Sequence, residues 1–215
     1  MSAITTLPAP ATRRRRKEAR PQELLDAALE LFVEKGFAAT RAEEVALRAG
    51  VSKGTLYLYY PSKEELFKAV ITHHVSARIA DSAQRVDAYR GRMGPLLQDM
   101  LVAWWQQVYA SPASGTFKII ISEVRNFPEI AEFYVHEVVE PGQRLIGDLL
   151  RRGIERGEFR AVDVDVTAHL LAAPMLMISL WRNSLEPCCD DRIDPQALLD
   201  AHVEMLSRGL ARSGT

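Results

Sequence analysis

Apolar residues recur at intervals of three and four along most of the chain, which is the period of an amphipathic α-helix. The first such stripe comprises Leu24, Leu25, Ala28, Leu31 and Phe32. Pro21 is suited to the first turn of this helix and Gly36 to its end. Sustained alternation of β-branched residues is not found, so sheets are not expected. The pattern predicts an all-α protein.

Two helix starts are marked by capping boxes, in which a Ser or Thr is followed three residues later by Glu. Thr40 and Glu43 predict a short helix that ends near Ala49. Ser62 and Glu65 predict a longer helix that extends to about Asp87. Its apolar stripe is Leu66, Phe67, Val70, Ile71 and Val75.

Between the two boxes, the spacing around Gly50 is typical of a helix-turn-helix. Gly50 allows the positive φ that a tight turn needs, and Ala46 is small enough for two helices to approach closely. Ser52 is placed to cap the second helix. The small apolar core of the motif is predicted to contain Val45, Val51 and Leu56.

Helical spacing divides the second helix of this motif into two faces. Leu56 and Tyr60 are expected to turn inward, and Tyr59 to lie at the boundary. The outward residues are Lys53, Gly54, Tyr57 and Leu58. A cation, a glycine that permits close approach and a phenol suit a DNA major groove. The alternative is a three-helix bundle in which the tyrosines only pack.

Two segments, LLDAALELFVEKGF (24–37) and GTLYLYYPSKEELF (54–67), resemble the TetR family of transcriptional regulators. The resemblance covers residues 18–78 and implies an N-terminal three-helix helix-turn-helix domain followed by a C-terminal helical ligand-binding and dimerisation domain. It also implies a homodimer. No charged-then-apolar start resembles a signal peptide and the two cysteines are adjacent, so we expect a cytoplasmic protein, and we expect no enzyme because no catalytic motif is found. Such regulators usually repress transcription from a palindromic operator in double-stranded DNA, and a small-molecule effector releases them. We expect an apolar or aromatic effector here.

The resemblance assigns DNA contacts to the start of the first motif helix, to the second motif helix and to the start of the fourth helix. These positions are Thr40, Arg41, Ser52, Lys53, Gly54, Thr55, Tyr57, Leu58, Tyr59 and Lys63. Leu58 departs from the aromatic residue or histidine that is commoner at its position.

Charge is unevenly distributed, although the net charge is −1. Residues 1–80 hold 13 basic and 9 acidic residues, whereas residues 81–215 hold 14 and 19. The basic N-terminal part and the acidic remainder indicate that the N-terminal end binds a polyanion. Residues 1–17, including the RRRRK run at 13–17, are expected to form a disordered tail, which either stays solvated or contacts DNA. The domain boundaries are then 18–78 and 79–215.

By the same resemblance, an effector pocket lies in the second domain and the last two helices pair with those of a second copy. The pocket candidates are Trp104, Trp105, Phe117, Ile121, Phe133, Met175 and Met177. The dimer candidates are Leu171, Ile178, Leu199, Val203 and Leu206. The alternative, that these stripes face the monomer's own core, stays open. Pro174 and Pro141 are expected to bend their helices.

Other chemistry is not expected. The HEVVE segment, 136–140, lacks the second histidine of a zinc helix, and His73 and His74 are expected to point to different faces, so neither a metal nor a cofactor is predicted. The adjacent Cys188 and Cys189 lie in an acidic setting that disfavours a reactive thiolate. No apolar run is expected to be long enough to cross a bilayer. Two alternatives remain: a DNA-binding protein that answers a protein partner or redox state, and a small-molecule-binding protein or enzyme without an operator.

Overall fold

The computed structural model describes residues 12–123, 125–190 and 194–212, and it describes side chains from residue 21 onward. Over these residues the fold is helical, which confirms the all-α prediction; one isolated bridge joins Phe159 and Ala211. The α-helices are α1 (Thr12–Lys35), α2 (Ala42–Arg48), α3 (Lys53–Tyr59), α4 (Lys63–Ile71), α5 (Ala77–Ala88), α6 (Met93–Trp104), α7 (Gly115–Glu123), α8 (Pro128–Tyr134), α9 (Glu140–Glu155), α10 (Val164–Ser184) and α11 (Pro195–Leu210). Two π-helical turns join consecutive α-helices, at Thr72–Ser76 between α4 and α5 and at Val135–Val139 between α8 and α9, and a third, Trp105–Tyr109, ends α6.

The N-terminal boundary of α1 differs from the prediction. The helix begins at Thr12, so Pro21 lies inside it, and residues 12–17 are helical where a disordered tail was expected. Residues 1–11 of that expected tail lie outside the described residues. At the other end, Gly36 has a φ of +84° and terminates α1, as predicted.

Of the two predicted capping boxes, the N-cap of one is confirmed and the other box is displaced. Ser62 Oγ accepts a hydrogen bond from Glu65 N at 3.1 Å and caps α4. The box at α2 lies one residue later than predicted, because Arg41 is the N-cap and Glu44 Oε2 accepts from its backbone N–H. Thr40 instead donates its hydroxyl to the carbonyl of Gly36 at 2.7 Å, inside the protein.

The core of the N-terminal domain is continuous with that of the second domain. Phe32, Phe37 and Phe67 pack with ring centroids 5.1–5.4 Å apart, bringing α1 and α4 together. Phe127, at the start of α8, packs edge-on against Phe37 at 4.8 Å. The same buried cluster includes Ile130 and other apolar residues of α7 and α8. Packed aromatic rings therefore join the second domain to the first.

The second domain contains two further apolar clusters. One joins α5, α6, α9 and α10 and includes the fully buried Leu149 and Leu150. The other surrounds Trp105, which stacks on Tyr109 with ring centroids 3.9 Å apart. The predicted interruption near Pro141 corresponds to the π-helical turn Val135–Val139, after which Pro141 lies in the first turn of α9. Pro174 lies inside α10, which runs unbroken from Val164 to Ser184.

Three of the five predicted dimer residues are buried within the protomer. Leu171, Ile178 and Leu199 are at most 4% exposed, and Val203 and Leu206 are partly buried in the same clusters. They contribute to the protomer's own core, which was the alternative interpretation. The exposed apolar side chains of these two helices are Val166, Leu170 and Met177 on α10 and Met205 on α11. We call these four residues the outer face.

The expectation that no segment is long and apolar enough for a bilayer is also wrong. Helix α10 passes that test by length and composition, with a mean hydropathy of 1.5 over its most apolar window. Such a test is weak, because buried helices of soluble proteins share this composition. One side of α10 packs in the protomer core, and the other carries most of the outer face.

Candidate nucleic-acid interface

Helices α2 and α3 form the predicted helix-turn-helix around a glycine turn. Gly50 has a φ of +66°, a region that favours glycine, and Val51 N donates to Ala46 O at 2.9 Å across the turn. Ser52 Oγ then caps α3 by accepting from Thr55 N at 3.1 Å. Val45, Ala46 and Leu56 are buried between the helices. The turn therefore fixes α3 at a set angle to α2 and leaves one face of α3 free.

The free face of α3 has the composition expected from the sequence. Ser52, Lys53, Gly54, Tyr57 and Leu58 are exposed, and Leu58 has an exposed fraction of 81%. Leu56 faces inward, as predicted. Thr55 is half-buried, and Tyr59 and Tyr60 pack partly against the core. We call Lys53, Gly54, Tyr57 and Leu58 the reading face.

Packing within the protein does not explain the glycine on the reading face. A Cβ placed on Gly54 would meet only Ser52 Oγ, at 3.8 Å, which is an ordinary contact. A glycine in a helix costs about 1 kcal/mol relative to alanine. The open space above Gly54 is therefore consistent with close approach of something outside the protomer.

The cation on the reading face is held by an acid on α2. Lys53 Nζ forms an ion pair with Glu43 Oε1, although each side chain is 54% exposed. Hydrogen bonding to Lys53 lowers the pKa of Glu43, and the same bond raises the pKa of Lys53. The Lys53 ammonium also lies 5.7 Å from the centre of the Tyr57 ring. A phosphate that binds Lys53 must therefore compete with Glu43.

Two residues predicted to contact DNA are engaged inside the protein. Thr40 is only 2% exposed. The Lys63 ammonium donates to the carbonyls of Phe37, Ala38 and Thr40, at 2.9, 3.1 and 3.2 Å, and lies 4.5 Å from the centre of the Phe37 ring. These three bonds use all the protons of the ammonium group. In this structure Lys63 ties the start of α4 to the loop between α1 and α2.

Sequence reasoning missed two residues of this surface. Glu43 was assigned to a capping box, yet it pairs with Lys53. Leu47 lies four residues after Glu43 on α2 and is 81% exposed. The four-residue spacing between them is the signal that would have placed both on the outward face. Arg41, which was predicted, is exposed at the start of the same helix.

The predicted effector residues do not belong to one cluster. Trp105 and Met175 are buried in one cluster, whereas Phe117 and Phe133 pack against the large N-terminal core. Trp104 contacts both groups. Ile121 and Met177 are 55% and 56% exposed, so they lie on the surface.

A cleft of about 220 Å³ lies elsewhere, between α6 and α11. Leu97, Leu101, Phe159 and Leu206 line its apolar side, and none of the seven predicted residues lines it. Its volume is below the roughly 300–1,000 Å³ typical of small-molecule pockets.

The cysteines and His136 do not form a cluster with each other among the described residues. Cys188 and Cys189 carry free thiols. His136 Nδ1 lies 3.2 Å from Glu140 Oε1, four residues later in the chain.

The prediction for His73 and His74 is wrong, because their rings lie 4.8 Å apart and both approach Asp26 of α1. Burial lowers the pKa of His74, and the neighbouring His73 lowers it further.

Comparisons with known proteins agree with this architecture. A family model described as "Bacterial regulatory proteins, tetR family" matches residues 24–70, and one described as "Tetracyclin repressor-like, C-terminal domain" matches residues 94–195. The regulator RutR of Escherichia coli K12 is 39% identical over 189 residues, covering 87% of this chain and 72% of RutR. The repressor KstR2 of Mycobacterium tuberculosis is 26% identical, covering 82% of this chain and 88% of KstR2.

Solved structures share the fold at lower identity. The fatty acid degradation regulator FadR from Bacillus halodurans has a TM-score of 0.72 and 20% identity, covering 87% of this chain and 94% of its own. FadR from Bacillus subtilis, solved in complex with stearoyl-CoA, has a TM-score of 0.63 and 19% identity, covering 88% and 98%.

Proposed function

The chain belongs to the TetR family of DNA-binding transcriptional regulators, and from that premise we propose that it is a repressor released from a palindromic operator by a small apolar or aromatic effector. The reading face carries this proposal. It places an exposed cation, an uncovered glycine, a phenol and an apolar side chain on one short helix. Direct base readout in a major groove uses donors for base edges and apolar groups for thymine methyls.

A palindromic operator requires two reading faces related by a two-fold axis, about 34–36 Å apart. The outer face is suited to forming that assembly, because Val166, Leu170 and Met177 lie on one side of α10 and Met205 lies on α11. Contact between copies through these helices removes exposed apolar side chains from water. The protomer is therefore expected to act as a homodimer. We expect the protein to be cytoplasmic, because a bacterial DNA-binding regulator must share a compartment with the chromosome.

We place the effector site around Trp104, where the cluster of Trp105 and Met175 adjoins the N-terminal core. Trp181, in the same cluster, has a buried Nε1 that lacks a hydrogen-bond partner among the described residues. A buried donor without a partner costs about 1–3 kcal/mol, which a ligand acceptor would recover. FadR from Bacillus subtilis binds stearoyl-CoA within the same fold, which supports an apolar acyl compound as the first effector to test.

Release follows from the shared core. An effector that separates the side chains around Trp104 displaces α7 and α8, and Phe127 transmits that displacement to Phe37 and α4. The two reading faces then lose the spacing that successive major grooves require. The effector need only bind the displaced state better than the DNA-bound state, and each ~1.4 kcal/mol of preference weakens DNA binding tenfold.

DNA binding is tested with the double variant Lys53→Ala/Tyr57→Ala. Both side chains are exposed, so the fold should be retained, as judged by circular dichroism. Specific DNA binding should be lost. Retained specific affinity would show that the reading face does not contact the operator.

The effector site is tested by intrinsic fluorescence, since all three tryptophans, Trp104, Trp105 and Trp181, belong to or pack against the same cluster. Titration with fatty acids and acyl-CoA thioesters should change the emission and release DNA at the same concentrations. Trp181→Phe should weaken binding of the active compound. An active compound that releases DNA without any change in emission would place its site elsewhere.

A further inference from the structure

Asp26, His73 and His74 lie together where α1 meets the fourth helix. Each offers one ligand atom, and the three atoms lie within 4.8 Å of one another. His74 Nε2 lies 3.3 Å from Asp26 Oδ1, and the two imidazole rings are nearly perpendicular, at 86°. The three residues come from two elements of the fold.

Both histidines lie in the π-helical turn Thr72–Ser76. In an α-helix, consecutive side chains diverge by about 100°, since there are 3.6 residues per turn. The π-helical turn changes that register locally, and such turns occur often at functional sites. Both rings approach Asp26 on α1 in the structure, although sequence periodicity predicts that they diverge.

One ligand atom of the cluster, His74 Nε2, is buried, and its ion-pair partner is Asp26 Oδ1. The His74 side chain is only 13% exposed, and its Nε2 atom makes no hydrogen bond among the described residues. Nearby, Arg78 donates from Nε to the carbonyl of His74 and from its guanidinium to Gln107. A buried polar atom that faces an exposed carboxylate and a second imidazole is suited to a ligand that all three can share.

We propose that Asp26, His73 and His74 bind a divalent transition-metal ion of the zinc class. Two imidazole nitrogens and one carboxylate oxygen suit Zn²⁺, Co²⁺ or Ni²⁺ better than Mg²⁺ or Ca²⁺, which prefer oxygen ligands. Zinc–ligand bonds of about 2.0–2.2 Å require the three ligand atoms to move closer together. Asp26 and His73 are exposed and have room to rotate. Three protein ligands leave a fourth position for water.

The ion would join α1, in the DNA-binding domain, to the middle of the helix that leads to the second domain. A metal that holds these helices at one angle favours one spacing of the reading faces. This consequence rests on the proposed function. By linkage, metal and operator then change each other's affinity by the same factor.

The metal site is tested on the untagged full-length chain with Co²⁺, whose visible absorption reports its ligand geometry, and with Zn²⁺ in competition. One ion per chain should bind, with a rise in melting temperature. Asp26→Asn and His73→Gln should each weaken Co²⁺ binding by about tenfold or more, while the matched control His136→Gln leaves it unchanged. Absence of a stoichiometric Co²⁺ spectrum in the wild-type chain, or an equal spectrum in Asp26→Asn and His73→Gln, would overturn the proposal.

Operator affinity, measured with and without Zn²⁺, separates the two proposals. If the metal binds but operator affinity does not change, the proposed coupling is wrong and the proposed metal site is retained. If no metal binds, the metal-site proposal is wrong, and the proposal that the reading face binds DNA is unaffected.

Discussion

Glu43 on α2 forms an ion pair with Lys53 on the reading face. The pair holds the lysine in position before DNA arrives, and it also sets a negative charge beside the surface that must meet phosphates. Glu43 therefore opposes DNA binding as well as orienting one of its contacts. The balance between these two effects is measurable.

Glu43→Gln should bind DNA more tightly, by a factor of a few at low salt, because it removes the competing carboxylate. The gain should shrink as salt screens the charges. Fluorescence anisotropy with labelled operator across a salt series measures both effects, and Glu129→Gln, an exposed acid on α8, is the control. Weaker binding by Glu43→Gln would mean that orienting Lys53 matters more than repulsion.

Gly54→Ala should separate stability from function. The new Cβ meets only Ser52 Oγ, so urea denaturation should show unchanged or greater stability, by up to about 1 kcal/mol. Operator affinity should fall, because the added methyl lies where DNA is to approach. Gly209→Ala on α11, which also has open space at Cβ, should leave affinity unchanged. Wild-type affinity in Gly54→Ala would place the DNA elsewhere.

Lys63 and Lys53 should have opposite roles, although both were assigned to DNA. Lys63→Met removes three hydrogen bonds to carbonyls and should lower the free energy of unfolding by about 1–3 kcal/mol, with the salt dependence of DNA binding unchanged. Lys53→Met should leave stability near wild type and lower the salt slope by about one. A lower salt slope in Lys63→Met would indicate a phosphate contact at that residue.

Leu170→Glu should give a folded monomer, because Leu170 is 63% exposed and belongs to the outer face. Sedimentation at micromolar concentration measures the change in mass, and DNA binding should fall with it. Ile121→Glu, at an equally accessible apolar residue of α7, should stay dimeric. A Leu170→Glu variant that remains a dimer would assign the interface to another surface.

The sequence predicted local features well where a single residue type determines geometry. Gly36 and Gly50 have the positive φ that ends a helix or closes a turn, and Ser52 and Ser62 cap their helices. Periodicity also divided α3 into the two faces observed. These features depend on neighbours in the chain, which the sequence displays directly.

Predictions failed where tertiary contacts decided the outcome. The stripe on α10 was identified, but spacing alone cannot say which side packs in the protomer, where Leu171 is buried and Leu170 is exposed. Lys63 was predicted to be a surface cation that contacts DNA, but in the folded protein its ammonium donates to three backbone carbonyls of the loop between α1 and α2. His73 and His74 were predicted to diverge on the basis of a 3.6-residue period, which does not predict the π-helical turn that contains them.

Selection of bound sequences from a random pool of duplex DNA tests the central claim most directly. Two reading faces per dimer predict an enriched two-fold symmetric sequence whose half-sites are separated by about one helical turn, or by a multiple of it. Substitution of Leu58, the most exposed residue of the reading face, should change the bases selected within each half-site. A pool that shows no enrichment, or enrichment without symmetry, would contradict the account.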